Sequence, residues 1–242
     1  MGAPRRAMTS RSSKTSGGKK RGRAKASGDP MDAILMAALV HVPFDGFTVT
    51  VLVRAADAAG VSRQDARRLF PDGPLSLVKT FSEWADAEMI AELARKDLPS
   101  LKVRERITLS IKTRISVLTP HKEAARRAAA FLTLPPYAAL GAKLLYRTVD
   151  AIWRAAGDTS TDFNFYTKRA ILAGVYSATM MRWFSDMSAG QTETDRFLRH
   201  RIDDVMKFEK FKARLREQIS TLPSLAEILT PGRTRRSKAG AG

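Results

Sequence analysis

Between residues 31 and 222 apolar residues recur three and four positions apart almost without interruption, and no alternating run of strand length survives between the turn signals. That single period restricts the chain to helices packed on helices. Ile34, Leu35, Ala38, Leu39 and Val42 mark the first apolar face, and Pro43 is expected to close that helix. Thr48 reads as the N-cap of a helix over 49–58 that Gly60 stops, and Ser62 with Asp65 reads as a capping box opening a short helix through Phe70. After the turn Pro71-Asp72-Gly73, a long helix buries Leu75, Val78, Phe81, Trp84, Met89 and Leu93 and ends before Pro99. Further helices are expected over 101–118, 120–131, 136–155 and 162–187. The last is the most regular: Leu198, Ile202, Val205, Phe208, Phe211, Leu215, Ile219 and Leu222 share one face before Pro223, and Ser224 with Glu227 marks one more capped turn. The expectation is an all-α chain, a single domain of about nine or ten helices over 31–222.

The net charge of +18 predicts a polyanionic partner, nucleic acid or an anionic membrane. Its distribution is uneven. The first 30 residues hold nine cations against Asp29, and the last twelve add Arg233, Arg235, Arg236 and Lys238, so residues 31–230 carry only +6. Residues 1–30 therefore read as a disordered basic tail, and 223–242 as a short capped turn and a second basic tail. Residues 1–30 contain no Leu, Ile, Val or Phe, so they lack the apolar face of a transit peptide and the apolar core of a secretory signal. The longest stretch free of Lys, Arg, Asp and Glu, 128–142, is broken by Pro135-Pro136 and is too short to span a bilayer, so a soluble or peripheral protein is expected.

Catalytic chemistry is not signalled. With no cysteine there is no disulfide, thiolate metal site or thiol nucleophile. No H-E-x-x-H, G-x-S-x-G, P-loop or dinucleotide-binding glycine motif occurs. His41, His121 and His200 are far apart, and none has a ligand partner one helical turn away. Asp203 and Asp204 are adjacent on a helix and point in different directions, which does not make an acid/base pair. A protein with no enzymatic activity, no metal and no cofactor is expected.

The stretch from Ala55 to Val78 assembles a helix, a glycine turn (A-G-V-S) and a second helix closed by F-P. It resembles the helix-turn-helix module of TetR-type regulators, which implies a TetR-like helical domain with a helix-turn-helix-like module at its N-terminal end. Arg63, Arg67 and Arg68 are placed to reach phosphates. The family's aromatic pair is replaced by Arg67 and Leu69, and its following lysine by Asp72-Gly73-Pro74, which favours a scaffold retained without DNA reading.

A second segment, Gly157 to Thr179 (G-D-T-S-T-D-F-N-F-Y-T-K-R-A-I-L-A-G-V-Y-S-A-T), opens a helix with aromatics beside Lys168 and Arg169, the composition of an interaction patch. Further along, Leu172, Tyr176, Met180 and Trp183 share a face suited to a core or to an apolar pocket. The run resembles the signature of the Coq-nine family, accessory proteins of coenzyme Q biosynthesis. H-V-P-F-D-G-F-T, L-F-P-D-G, T-P-H-K-E-A, T-V-D-A-I-W and R-I-D-D-V-M follow in the family's order over about residues 31–215. The resemblance implies a TetR-like, usually homodimeric fold. It also implies an apolar pocket for isoprenoid quinone intermediates or other lipids, and delivery of them to the di-iron hydroxylase of demethoxyubiquinone. The family's hydroxylase contact, D-F-N-W-Y-T-x-R, falls here on Asp162, Phe165, Tyr166 and Arg169. Phe165 stands where the family commonly has Trp, which keeps the ring and loses the indole donor.

The helix over about 194–222 carries five cations against two acids between Lys207 and Glu217, opposite an apolar face. Such a helix suits an anionic bilayer, with Phe208, Phe211, Lys212 and Leu215 towards the membrane. The resemblance to the family, which has a membrane-binding helix at its C-terminus, supports that use. The expectation is a lipid-binding accessory protein, peripheral on the inner face of a bacterial cytoplasmic membrane, or on the matrix side if eukaryotic. The competing expectation is a TetR-type ligand-responsive DNA-binding regulator.

Overall fold

The computed structural model describes residues 29–159 and 163–220, with side chains over 29–159 and 165–207. The tail expectations, Asp162, and the side chains of Phe208, Phe211, Lys212 and Leu215 lie outside the described residues. Nine α-helices are described: α1 (Pro30–Asp45), α2 (Val49–Ala58), α3 (Arg63–Leu69), α4 (Pro74–Leu93), α5 (Val103–Leu118), α6 (Lys122–Leu132), α7 (Ala138–Ala155), α8 (Phe163–Ser185) and α9 (Thr192–Ser220). Single 3-10 turns at Thr119–His121, Pro135–Tyr137 and Ala189–Gln191 lead into α6, α7 and α9.

The caps form where the side chains to make them occur. Asp29 accepts from Met31 N at 3.0 Å, and Pro30 supplies a pre-set first turn for α1. Thr48 caps α2 through Val51 N. Ser62 Oγ accepts from Asp65 N at 3.1 Å and donates to the Asp65 carboxylate at 2.6 Å. Pro43 does not end α1, contrary to the sequence expectation. It lies in the last turn, where only its own missing N–H is forfeited, and the helix stops at Gly46, whose φ of +70° favours glycine.

One apolar core runs through the domain, built from Ile34, Leu35 and Val42 of α1, Leu77, Val78 and Met89 of α4, Ile111 of α5, Ile152 of α7, Trp183 of α8 and Leu198 of α9. α1 packs on α2, α4 on α5 and α7, and α8 on both α7 and α9. His121 is a packing residue: its ring meets Trp84 edge-on at 5.6 Å, and burial lowers its pKa. The α8–α9 corner turns on buried Asp186, whose carboxylate accepts from the backbone and hydroxyl of both Ser188 and Thr194 at 2.6–2.8 Å. Burial alone would raise its pKa, but these four donors hold it well below the usual carboxylate range. Among the described residues no single helix is long and apolar enough to cross a membrane.

Candidate functional site

α4, α5, α6, α7 and α8 line an apolar cavity of about 360 Å³, open on one side and within the range of small-molecule sites. Val78, Phe81, Leu118, Leu144, Leu145 and Phe184 form its walls. The space exists because α6 presents Ala125, Ala128 and Ala129, and alanine leaves a facing helix surface unfilled.

One end of the cavity is polar. Arg114, only 5% exposed on α5, donates through Nε to Asp86 of α4 at 2.7 Å and through Nη1 to the Tyr176 hydroxyl of α8. Thr148 of α7 donates to the same carboxylate, 3.0 Å from each oxygen, and Ser82 accepts from Arg114 Nη2 at 3.4 Å. Four helices are therefore tied at this point. Burial lowers the guanidinium pKa, but Tyr176 and Asp86 more than offset it and Arg114 stays charged. Burial raises the Tyr176 pKa against the opposing pull of Arg114, which keeps the phenol protonated.

The four residues proposed from sequence to line a pocket divide between locations. Tyr176 and Met180 line this cavity. Leu172 lines a second apolar cavity of about 560 Å³ with Ile107, Trp153, Val175, Ile202 and Val205. Trp183 lines neither cavity and is fully enclosed, its ring 5.3 Å from Phe184. A shared helical face extends along the axis: at 1.5 Å per residue, Leu172 and Met180 are about 12 Å apart.

The aromatic corner at the start of α8 also divides. Tyr166 is 66% exposed, and Phe165 is half-buried against it with ring centroids 5.1 Å apart. Arg169 is 3% exposed, so its guanidinium is not a surface contact. It donates through Nε to Asp150 at 2.8 Å and through Nη1 to Asp158 at 3.1 Å and the Phe165 carbonyl at 3.2 Å, and it stacks on the Phe165 ring at 3.3 Å. Lys168 adds a contact to Asp158 at 3.0 Å, and Trp153 Nε1 donates to the Lys168 carbonyl. The end of α7 and the start of α8 are thereby clamped beneath an exposed tyrosine.

Sequence reasoning passed over Asp86, Arg114, Thr148, Asp150 and Asp158. A signal existed for Arg114, which lies three residues after Ile111 and four before Leu118 in a buried stripe. The three arginines of α3 are exposed, with Arg63 3.6 Å from Asp57 and Arg68 3.6 Å from Asp65.

The helical order, the α2–α3 turn and the apolar cavity among the later helices define a TetR-like helical domain. The crystal structure of a TetR transcriptional regulator from Nitrosomonas europaea ATCC 19718 superposes with a TM-score of 0.60 at 20% identity, over 72% of this chain and 97% of that one, which establishes the shared fold. The family is narrower: the COQ9 family pattern matches residues 138–209, which hold α7, α8 and the described side chains of α9. Ubiquinone biosynthesis protein COQ9, mitochondrial, of Rattus norvegicus is 36% identical over 180 residues, 72% of this chain and 57% of the relative. The Bos taurus protein of the same name is 35% identical over 72% and 56%, and the probable coq9 of Dictyostelium discoideum 27% over 77% and 62%. The chain belongs to the COQ9 family and spans between half and two thirds of the length of these relatives.

Proposed function

We propose that the protein serves ubiquinone biosynthesis as a non-enzymatic, lipid-binding accessory protein. It takes a polyprenylated quinone intermediate from the membrane and presents it to the demethoxyubiquinone hydroxylase. The observation that carries the reading is the apolar cavity of about 360 Å³ inside a TetR-like domain of the COQ9 family. Burial is worth about 0.8 kcal/mol per CH₂ in either bilayer or cavity, so exchange between the two is near balance. The hydroxylase docks on the corner led by Tyr166, with Phe165 beside it and Arg169 acting from beneath, and the sequence motif adds Asp162, which lies outside the described residues. α9, with Phe208, Phe211, Lys212 and Leu215, meets the anionic face of the membrane, cytoplasmic in a bacterium or matrix in a mitochondrion, and the working unit is a homodimer.

The test is complementation of a strain lacking this gene. Wild type and a surface control restore ubiquinone. Tyr166→Ala, and Ala129→Phe, which fills the cavity, leave demethoxyubiquinone accumulated. Full rescue by both variants contradicts the proposal. The shared fold with a TetR regulator favours a second reading, a ligand-responsive DNA-binding protein. Steeply salt-dependent binding to one operator sequence, surviving removal of residues 1–28, supports that reading instead.

A further inference from the structure

Around Arg114 the cavity wall carries the hydroxyls of Tyr176, Ser82 and Ser177. Tyr176, 7% exposed, accepts from Arg114, yet among the described residues its own O–H donates to no acceptor. Ser82 accepts from Arg114 and, like Ser177, finds no acceptor for its hydroxyl hydrogen among the described residues. Among the described residues Arg114 Nη2 reaches only Ser82, at 3.4 Å and 3.5 Å, near the limit of a hydrogen bond. Asp86 accepts from both Arg114 and Thr148. All four donor-bearing side chains line the same cavity, whose remaining walls are almost entirely aliphatic and aromatic. The Tyr176 side chain is buried and those of Ser82 and Ser177 are half-buried at the cavity wall, so a ligand oxygen entering there meets hydrogen-bond donors already in place.

The charge balance narrows the ligand. The guanidinium of Arg114 is already neutralised by Asp86 at 2.7 Å, so this end of the cavity offers hydrogen bonds without a free positive charge. An anionic head would lose its hydration and gain no unpaired cation. A neutral head with carbonyl or ether oxygens gains the donors without that loss. We propose that Tyr176, Ser82, Ser177 and Arg114 form a head-group subsite for an uncharged, oxygen-bearing ring or ester on an apolar tail, with the tail along α6. This subsite rests on the proposed function only in taking the cavity to hold a lipid.

The full-length protein, stripped of lipid, is titrated by calorimetry with three probes of equal tail: decyl-1,4-benzoquinone, decylbenzene and decyl phosphate. The quinone is expected to bind about tenfold more tightly than either of the others. Tyr176→Phe, which removes one hydroxyl, lowers quinone affinity about three- to tenfold and leaves decylbenzene unchanged; Ser82→Ala acts in the same direction and serves if Tyr176→Phe is unstable. Unchanged quinone affinity in both variants, or tightest binding of decyl phosphate, overturns the subsite. Equal binding of quinone and decylbenzene, abolished for both by Ala129→Phe, overturns the subsite while the lipid cavity stands. No binding of any probe to wild type contradicts both.

Discussion

Two buried arginines organise this molecule, and their surroundings differ. Arg169 has its donors consumed by Asp150, Asp158 and the Phe165 carbonyl, and its flat face covered by the Phe165 ring. Arg114 has one carboxylate, one phenol and a distant serine, and it borders open space. A saturated buried cation is a structural clamp, and an unsaturated one beside a cavity is a recognition element. The same residue type thus does two jobs, separated by how many acceptors surround it.

The largest expected effect breaks the clamp. Arg169→Ala removes the cation shared by Asp150 and Asp158 and leaves them only the more exposed Arg154 and Lys168, and a loss of about 3 kcal/mol is expected in urea unfolding, because the buried bonds to both carboxylates and to the Phe165 carbonyl go together. A destabilisation below about 1 kcal/mol would mean that the corner is wetter than described. Next, Asp186→Asn weakens the α8–α9 corner by about 1–2 kcal/mol in the same measurement, since an amide cannot accept all four bonds as a carboxylate does. The sign with pH follows from the lowered pKa of Asp186. Its contribution is fully present above the ordinary carboxylate value near 4 and is lost as pH falls below it, so the wild-type advantage over Asp186→Asn shrinks in acid. The smallest stability effect is expected for exposed Tyr166→Ala, within about 0.5 kcal/mol of wild type, although hydroxylase co-purification is lost. That variant and Arg169→Ala together separate contact from support at one corner: one keeps the fold and loses the partner, the other loses both.

Local features were the legible ones. Thr48, Ser62 with Asp65, and the turn at Gly73 are set by neighbours within four residues, and they formed as the sequence implied. The course of α1 past Pro43 differs from the sequence expectation because proline costs a helix one bond, to the carbonyl one turn earlier, and a helix that ends two residues later tolerates that loss. The stripe of Leu172, Tyr176, Met180 and Trp183 was legible as a face suited to a core or a pocket, but its division between two cavities and the core was not. Volume arises where helices far apart in sequence fail to fill a gap, here the alanines of α6 opposite Met180 and Leu145. The burial of Arg169 was legible in principle, because it lies three residues before Leu172 and seven before Tyr176 on the same face. Its two carboxylates were not, since their meeting depends on how the end of α7 returns against α8.

The claim that most of this account depends on is that the cavity among α4 to α8 holds a lipid. Mass spectrometry of organic extracts from purified wild-type protein and from Ala129→Phe, matched for folding by circular dichroism, tests it directly. The account predicts close to one apolar lipid per cavity in wild type and a loss of at least about tenfold in the variant. Equal lipid content in the two proteins, or none in wild type prepared without detergent, would contradict it.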